Sequence, residues 1–171
     1  SEGIIKGVYT AQEAKEKLIT DIKYHEGLLV PGFVNTHCHL ELSHLKGKIE
    51  PGTGLIAFIS NVVRNRGASH EEIDNAIIAA DEYMWQQGIQ AVGDISNKTD
   101  SFVVKSKSPI RYYNFIEMFD FLQGNKTEEF ILPYLEVYDK APILKSAVPH
   151  APYSVSPELF KRIREINTRR V

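Results

Sequence analysis

Beyond Gly32 the apolar positions switch repeatedly between a period near two and a period near 3.6, and the switches mark out the elements. Phe33–His39 reads as a first strand, entered through the apolar run Gly27–Val34 with one Pro-Gly break. Gly54–Arg66 carries Leu55, Phe58, Ile59 and Val62 at helical spacing, the pattern of one buried stripe. Ser69 and Glu72 form a capping-box signature, opening a helix with Ile73, Ala76, Ile77, Ala80 and Met84 inward. Gly88 ends that helix, where a left-handed residue is commonly needed. Ile89–Ser96 is the second strand, and Ile110–Met118, rich in aromatic and β-branched residues, is the third. Asn125–Asp139 is expected as a helix bent or broken near Pro133. Ser146–His150 is the fourth strand; Ser156 as N-cap and Pro157 at the first helical position then open a helix that runs to the chain end.

Strands alternating with helices argue for an α/β parallel sheet or barrel over residues 31–171. Residues 1–30 differ. There Gly3–Tyr9 reads as a short strand, Ala11–Leu18 as a helical turn or two, and Ile22–Val30 as another extended piece.

Composition narrows the class without defining it. The chain has 171 residues, a formal net charge of −2, 25% charged and 43% hydrophobic residues, an ordinary globular balance. No Lys/Arg cluster points to nucleic acid; Arg169-Arg170 is a pair at the chain end. The single cysteine, Cys38, excludes an intramolecular disulfide and fits a reducing compartment. No apolar run approaches membrane-spanning length, and the N-terminus lacks the layout of a signal peptide. A cytoplasmic protein with no membrane partner is expected.

His37-Cys38-His39 carries the chemistry. In a strand, alternate side chains share a face, so His37 and His39 point one way and Cys38 the other. Two imidazoles on one face form two corners of a transition-metal site, while the thiol packs against helices. The competing reading is two polar residues at a strand end with no metal.

The run PGFVNTHCHLE resembles the opening motif of the amidohydrolase superfamily, in its branch of cytosine/guanine deaminases, adenosylhomocysteine deaminases and chlorohydrolases. Ile89–Asn97 (IQAVGDISN) is similar to that family's second strand, and Val148–Ser156 (VPHAPYSVS) to its H-A-P-Y segment after the fourth. The resemblance implies a distorted (β/α)8 barrel whose H-x-H binds one divalent ion, zinc foremost with iron as the alternative. It also implies that residues 1–30 belong to a flanking β-sandwich, and that His150 contacts substrate rather than metal. A closed barrel needs eight strands and about 250 residues; four are found here. The expectation is therefore the first half of a barrel plus part of a small β-sandwich, either as a fragment of a longer protein or with a second half omitted.

In such barrels the site lies at the carboxyl ends of the strands. Glu41 continues the period-two face and is a candidate to approach substrate or a ligand histidine, with a solvated loop carboxylate as the alternative. Glu117, ending the third strand, is a candidate substrate contact, with a salt bridge to a neighbouring strand as the alternative. Asp94 is expected as a structural acceptor near the histidines, because an unpaired buried carboxylate is costly. Arg111 lies at the opposite end of the barrel, Tyr153 is expected to pack locally, and His25, His44 and His70 are not first-choice ligands.

The resemblance also places a third ligand histidine and a proton-shuttling glutamate in an H-x-x-E segment, and a ligand aspartate on the eighth strand. No histidine follows His150, so no catalytic acid is identified here. Where adenosylhomocysteine-type deaminases carry a ribose-binding glutamate, this chain reads GLIAFISNVVRNRG, with the counterpart near Arg64–Arg66. An anionic or differently shaped tail is favoured over a free ribose diol.

The function expected is hydrolytic deamination of an amino-substituted heterocycle through a metal-bound hydroxide. Loss of chloride or opening of a cyclic amide at the same site is the alternative, and a catalytically incomplete polypeptide is another. The partner expected is a small heterocyclic substrate, and unpaired strand edges point to a homo-oligomer.

Overall fold

The structure is a computed structural model that describes residues 4–142 and 144–168, and it divides the chain into two compact units between Pro31 and Gly32. Gly3, at the head of the first expected strand, and the Arg169-Arg170 pair lie outside the described residues.

In the first unit the regular element is helix α1 (Ala11–Glu16). Thr10 caps it: the Glu13 N–H donates to the threonine hydroxyl at 3.3 Å, and the Thr10 N–H donates back to the Glu13 carboxylate at 2.8 Å. The segments expected as strands before and after it are not in a sheet. A strand exists by pairing its backbone donors and acceptors with a neighbour, and among the described residues these segments have none. The β-sandwich is thus not shown.

The second unit runs β1 (Phe33–Cys38), α2 (Leu55–Asn65), α3 (His70–Gln86), β2 (Ile89–Ser96), α4 (Phe102–Lys107), β3 (Arg111–Met118), α5 (Thr127–Lys140), β4 (Lys145–Pro149) and α6 (Pro157–Thr168). Short 3-10 turns fill Leu40–Leu45 and Gly124–Lys126. All pairings in the sheet are parallel, and the order β1-β2-β3-β4 follows the sequence. This is the winding of consecutive βα units expected of part of a barrel.

Strand alternation sorts the side chains. Val92, Asp94 and Ser96 on β2, and Tyr112, Asn114 and Ile116 on β3, are buried on the helix-covered face. Val92 and Tyr112 pack in one apolar cluster with Ile73 and Ile77 of α3, and Ile116 in another with Ile131 of α5 and Leu159 and Ile163 of α6. The other face carries Val34, Thr36, Ala91, Gly93, Tyr113 and Phe115 along an open concavity. Gly93 is required there: a Cβ would lie 2.9 Å from the Phe115 ring and 3.0 Å from the Thr36 carbonyl oxygen. Gly88, with φ +82°, makes the left-handed exit from α3 that the sequence called for.

Three details differ from expectation. Leu55, Phe58 and Ile59 of α2 are exposed, and no described residue of that helix is buried. Helical spacing shows that a face seeks cover; it does not show what covers it. Helix α5 continues through Pro133 without the break that was one of its two expected forms. Helix α4 was not foreseen, being six residues long with no side-chain cap bond. No helix among the described residues is long and apolar enough to cross a membrane.

Candidate metal and substrate site

Strand β1 stops at Cys38, one residue short of the second histidine. Its register slips just before: Asn35 pairs with Val92 and Cys38 with Asp94, so β1 spends one residue more than β2. The chain then turns into the 3-10 segment, with His39 at φ −123°, ψ 74°. Despite the slip, the two imidazoles stand together, ring centroids 5.2 Å apart and tilted by 58°. The Asn35 side chain steadies the bend by accepting the His37 N–H at 3.2 Å.

Asp94 fixes the other side of the turn. Its Oδ1 accepts the backbone N–H of Leu40 at 2.7 Å, immediately after His39. Its carboxylate is ion-paired with Lys105, both side chains being fully buried. The lysine also donates to Ser96 Oγ and Asn114 Oδ1, each at 2.9 Å. Asp94 therefore faces the helices and holds the backbone that carries the histidine pair. Cys38 packs on the same side. Burial, then the Asp94 charge, push its thiol up to about 12, so it stays protonated and is a poor ligand.

His39 is half-buried, and that burial lowers its pKa against the raising influence of Glu117; the neutral imidazole with a free lone pair is favoured. Two imidazoles at this spacing fit as part of the ligand set of a transition ion. Among the described residues no group of three His, Cys, Asp or Glu side chains is close enough to complete one.

Glu117, one residue before the end of β3 and nine-tenths buried, is close enough to His39 and Tyr134 for its charge to act upward on both pKa values. Burial pushes the Tyr134 phenol up to about 12, with Glu117 adding to it. Asn97 holds the end of β3 by donating to the Glu117 carbonyl at 2.9 Å.

Glu41 is turned elsewhere. Its Oε2 accepts the backbone N–H groups of Asn97 and Lys98 at 2.9 and 3.0 Å, and its Oε1 lies 3.8 Å from the Arg66 guanidinium. Burial raises its pKa against those donors and Arg66. It is not the solvated loop carboxylate that was the alternative to a contact with substrate or a ligand histidine: it is buried and clamps the loop after β2. That loop is what sequence periodicity could not bring into view.

His150 follows β4, its N–H donating to the Met118 carbonyl at 3.1 Å. Its Nδ1 is 2.7 Å from the Ser154 hydroxyl, and its ring meets Phe119 and Tyr153 edge-on. No hydrogen bond among the described residues joins it to His37 or His39. His44 is buried with neither ring nitrogen bonded, and His25 and His70 are exposed. Arg66, Tyr134 and Lys105 enter through tertiary contacts. Of these only Arg66 had a signal in the sequence.

No protein-family model matches the chain. It is 30% identical over 139 residues to an adenosine deaminase of Helicobacter pylori, a match covering 80% of this chain and 34% of that protein. Among solved structures it is similar to H. pylori aminofutalosine deaminase in complex with methylthio-coformycin, at 26% identity and a TM-score of 0.67, covering 81% of this chain and 35% of that one. The atrazine chlorohydrolase of Arthrobacter aurescens, crystallised with zinc, shares the fold at 14% identity and a TM-score of 0.62, over 82% of this chain and 39% of that one. The parallel sheet and its motifs are similar to part of the structures of amidohydrolase-superfamily proteins, the deaminases and the chlorohydrolase among them. Within that superfamily, the relatives in sequence are deaminases, and the chain spans about a third of their length.

Proposed function

We propose that the protein is a metal-dependent aminohydrolase that deaminates an amino-substituted heterocycle in the cytoplasm. The observation that carries this reading is the His37–His39 pair, 5.2 Å between rings, at the carboxyl end of β1 in a chain related to adenosine deaminase. His37 and His39 would hold one divalent ion, zinc by analogy with the chlorohydrolase structure, through neutral imidazole nitrogens. When bound, such an ion lowers the pKa of water towards neutrality and so supplies a nucleophile for an electrophilic ring carbon.

The residues described above position that site. Asp94 and Lys105 keep the turn after β1 rigid, which fixes where the two imidazoles stand. Glu117 presents a carboxylate beside His39, placed to accept a hydrogen bond from a ring N–H or amino group of the substrate. His150, steadied by Ser154 and flanked by aromatic rings, orients the ring or its substituent. Glu41 serves this site by holding the loop after β2 and the position of Arg66. The relatives extend well beyond the matched third, and this reading assigns the remaining ligands and the proton-shuttling acid to that further length.

Chloride as the leaving group is the second reading, favoured by the fold shared with atrazine chlorohydrolase. A panel of amino- and chloro-substituted purines, pyrimidines and triazines, assayed with the whole protein for ammonia and chloride release, separates them. Ammonia release from an aminopurine or aminopyrimidine is expected; chloride release alone supports the second reading, and release of neither overturns both.

A further inference from the structure

His150 is exposed just past the carboxyl end of β4, with one edge of its ring held. Its backbone N–H donates to the Met118 carbonyl at 3.1 Å, and its Nδ1 lies 2.7 Å from Ser154 Oγ. Among the described residues no hydrogen bond engages Nε2, the nitrogen on the other edge. Ser154 is buried and cannot turn away. Its carbonyl accepts the N–H groups of Asp120 and Phe121 at 3.1 and 3.0 Å, and its own N–H donates to the Ala151 carbonyl at 3.0 Å. Asp120 is itself fully buried, accepting the Ser156 N–H at 2.8 Å and the Thr127 hydroxyl at 2.9 Å.

The Ser154 hydroxyl has one proton and two neighbours. Its oxygen lies 3.1 Å from the Ala151 carbonyl oxygen and 2.7 Å from Nδ1. Two oxygens at that distance with no proton between them repel, so the hydroxyl donates to the carbonyl, which has a second lone pair to receive it. Towards the histidine, Oγ can then only accept, and the proton on that side is carried by Nδ1. This arrangement makes both bonds and lets each polarise the other; the opposite tautomer makes one and sets two oxygen lone pairs against each other. A neutral imidazole with its proton on Nδ1 has its free lone pair on Nε2.

We propose that Ser154 is a positioning residue for the reaction: it keeps the proton of His150 on Nδ1, so that Nε2 meets the substrate as a hydrogen-bond acceptor. Such an acceptor takes a ring N–H or an amino group of the heterocycle. The inference rests on the deaminase reading for the contact between His150 and substrate, and on the Ser154–Ala151 geometry for the tautomer.

The test uses the whole, zinc-loaded protein with nitrogen-15 in its histidines, at about pH 8, where an ordinary histidine is neutral. Nitrogen chemical shifts separate a protonated ring nitrogen from a bare one, and the His150 signals are those lost in His150→Ala. The native protein is expected to show Nδ1 protonated and Nε2 bare. Ser154→Ala should lose that preference, which a role in packing alone would not move. It should also keep its zinc and lower kcat/KM for ammonia release from the aminopurines and aminopyrimidines of the panel by roughly 10- to 100-fold, the scale of a lost orienting contact.

A proton on Nε2 in the native protein overturns the proposal, and that spectrum decides even if the alanine variant does not fold. A tautomer or a kcat/KM unchanged in Ser154→Ala overturns it as well. The expected tautomer, lost in Ser154→Ala, with no ammonia released from any compound of the panel, keeps the pairing of Ser154 with His150 and removes the deaminase reading. Ammonia release by a native protein whose His150 carries its proton on Nε2 does the reverse.

Discussion

The imidazoles of His37 and His39 stand 5.2 Å apart even though β1 ends at Cys38 between them, because a register slip and a 3-10 turn replace regular alternation. Metal content should follow this geometry. His37→Ala and His39→Ala should each remove the ion from the whole protein, whereas Cys38→Ser, altering a protonated thiol packed against the helices, should keep it. Elemental analysis checks this, and metal lost in Cys38→Ser but kept in the histidine variants would reverse the assignment.

His150 is expected to act on substrate. His150→Ala should leave metal occupancy near normal and lower kcat/KM by about 100-fold, the scale of a lost positioning contact. Steady-state kinetics beside elemental analysis separates the roles; loss of metal equal to that of His37→Ala would make His150 a ligand.

The Asp94–Lys105 pair is fully buried, so removing one partner strands the other. Lys105→Met should destabilise the fold by about 3–5 kcal/mol, and Asp94→Asn together with Lys105→Met should recover much of it. Denaturant titration gives the comparison, and a single variant as stable as the parent would contradict the account of the turn.

Glu41 should leave a mark on the pH dependence of stability. Burial raises its folded-state pKa above the ordinary 4.5, so the folded state binds its proton more tightly than the unfolded chain. The stability it contributes is complete below 4.5 and declines as pH rises through the folded pKa. Glu41→Gln can still accept from Asn97 and Lys98 and should flatten that decline. Denaturation midpoints between about pH 4 and pH 8 test it; identical slopes in parent and variant would contradict it.

Elements with a strong local pattern were legible in the chain. Strand β2 was bounded to the residue, since Gly88 closes the preceding helix and the apolar run after it has strand length. Ser69 and Ser156 cap α3 and α6 through backbone N–H groups at 3.1 Å, as their spacing implied. What was not legible depends on partners far along the chain. Helix α4 is too short to show a period, yet it delivers Lys105 to the buried carboxylate. Glu41 looked like a loop residue, and its Oε2 accepts from the backbone of a loop 56 residues away. The expected strands within residues 1–30 have propensity but, among the described residues, no ladder. The adjacency of two imidazoles could be read from H-x-H; the bulge that achieves it could not.

The most direct measurement is ammonia release from an aminopurine by the whole protein, before chelation, after chelation, and after zinc is restored. The account predicts activity that is lost with the metal and regained with zinc. Undiminished ammonia release from protein shown by elemental analysis to be metal-free would contradict it.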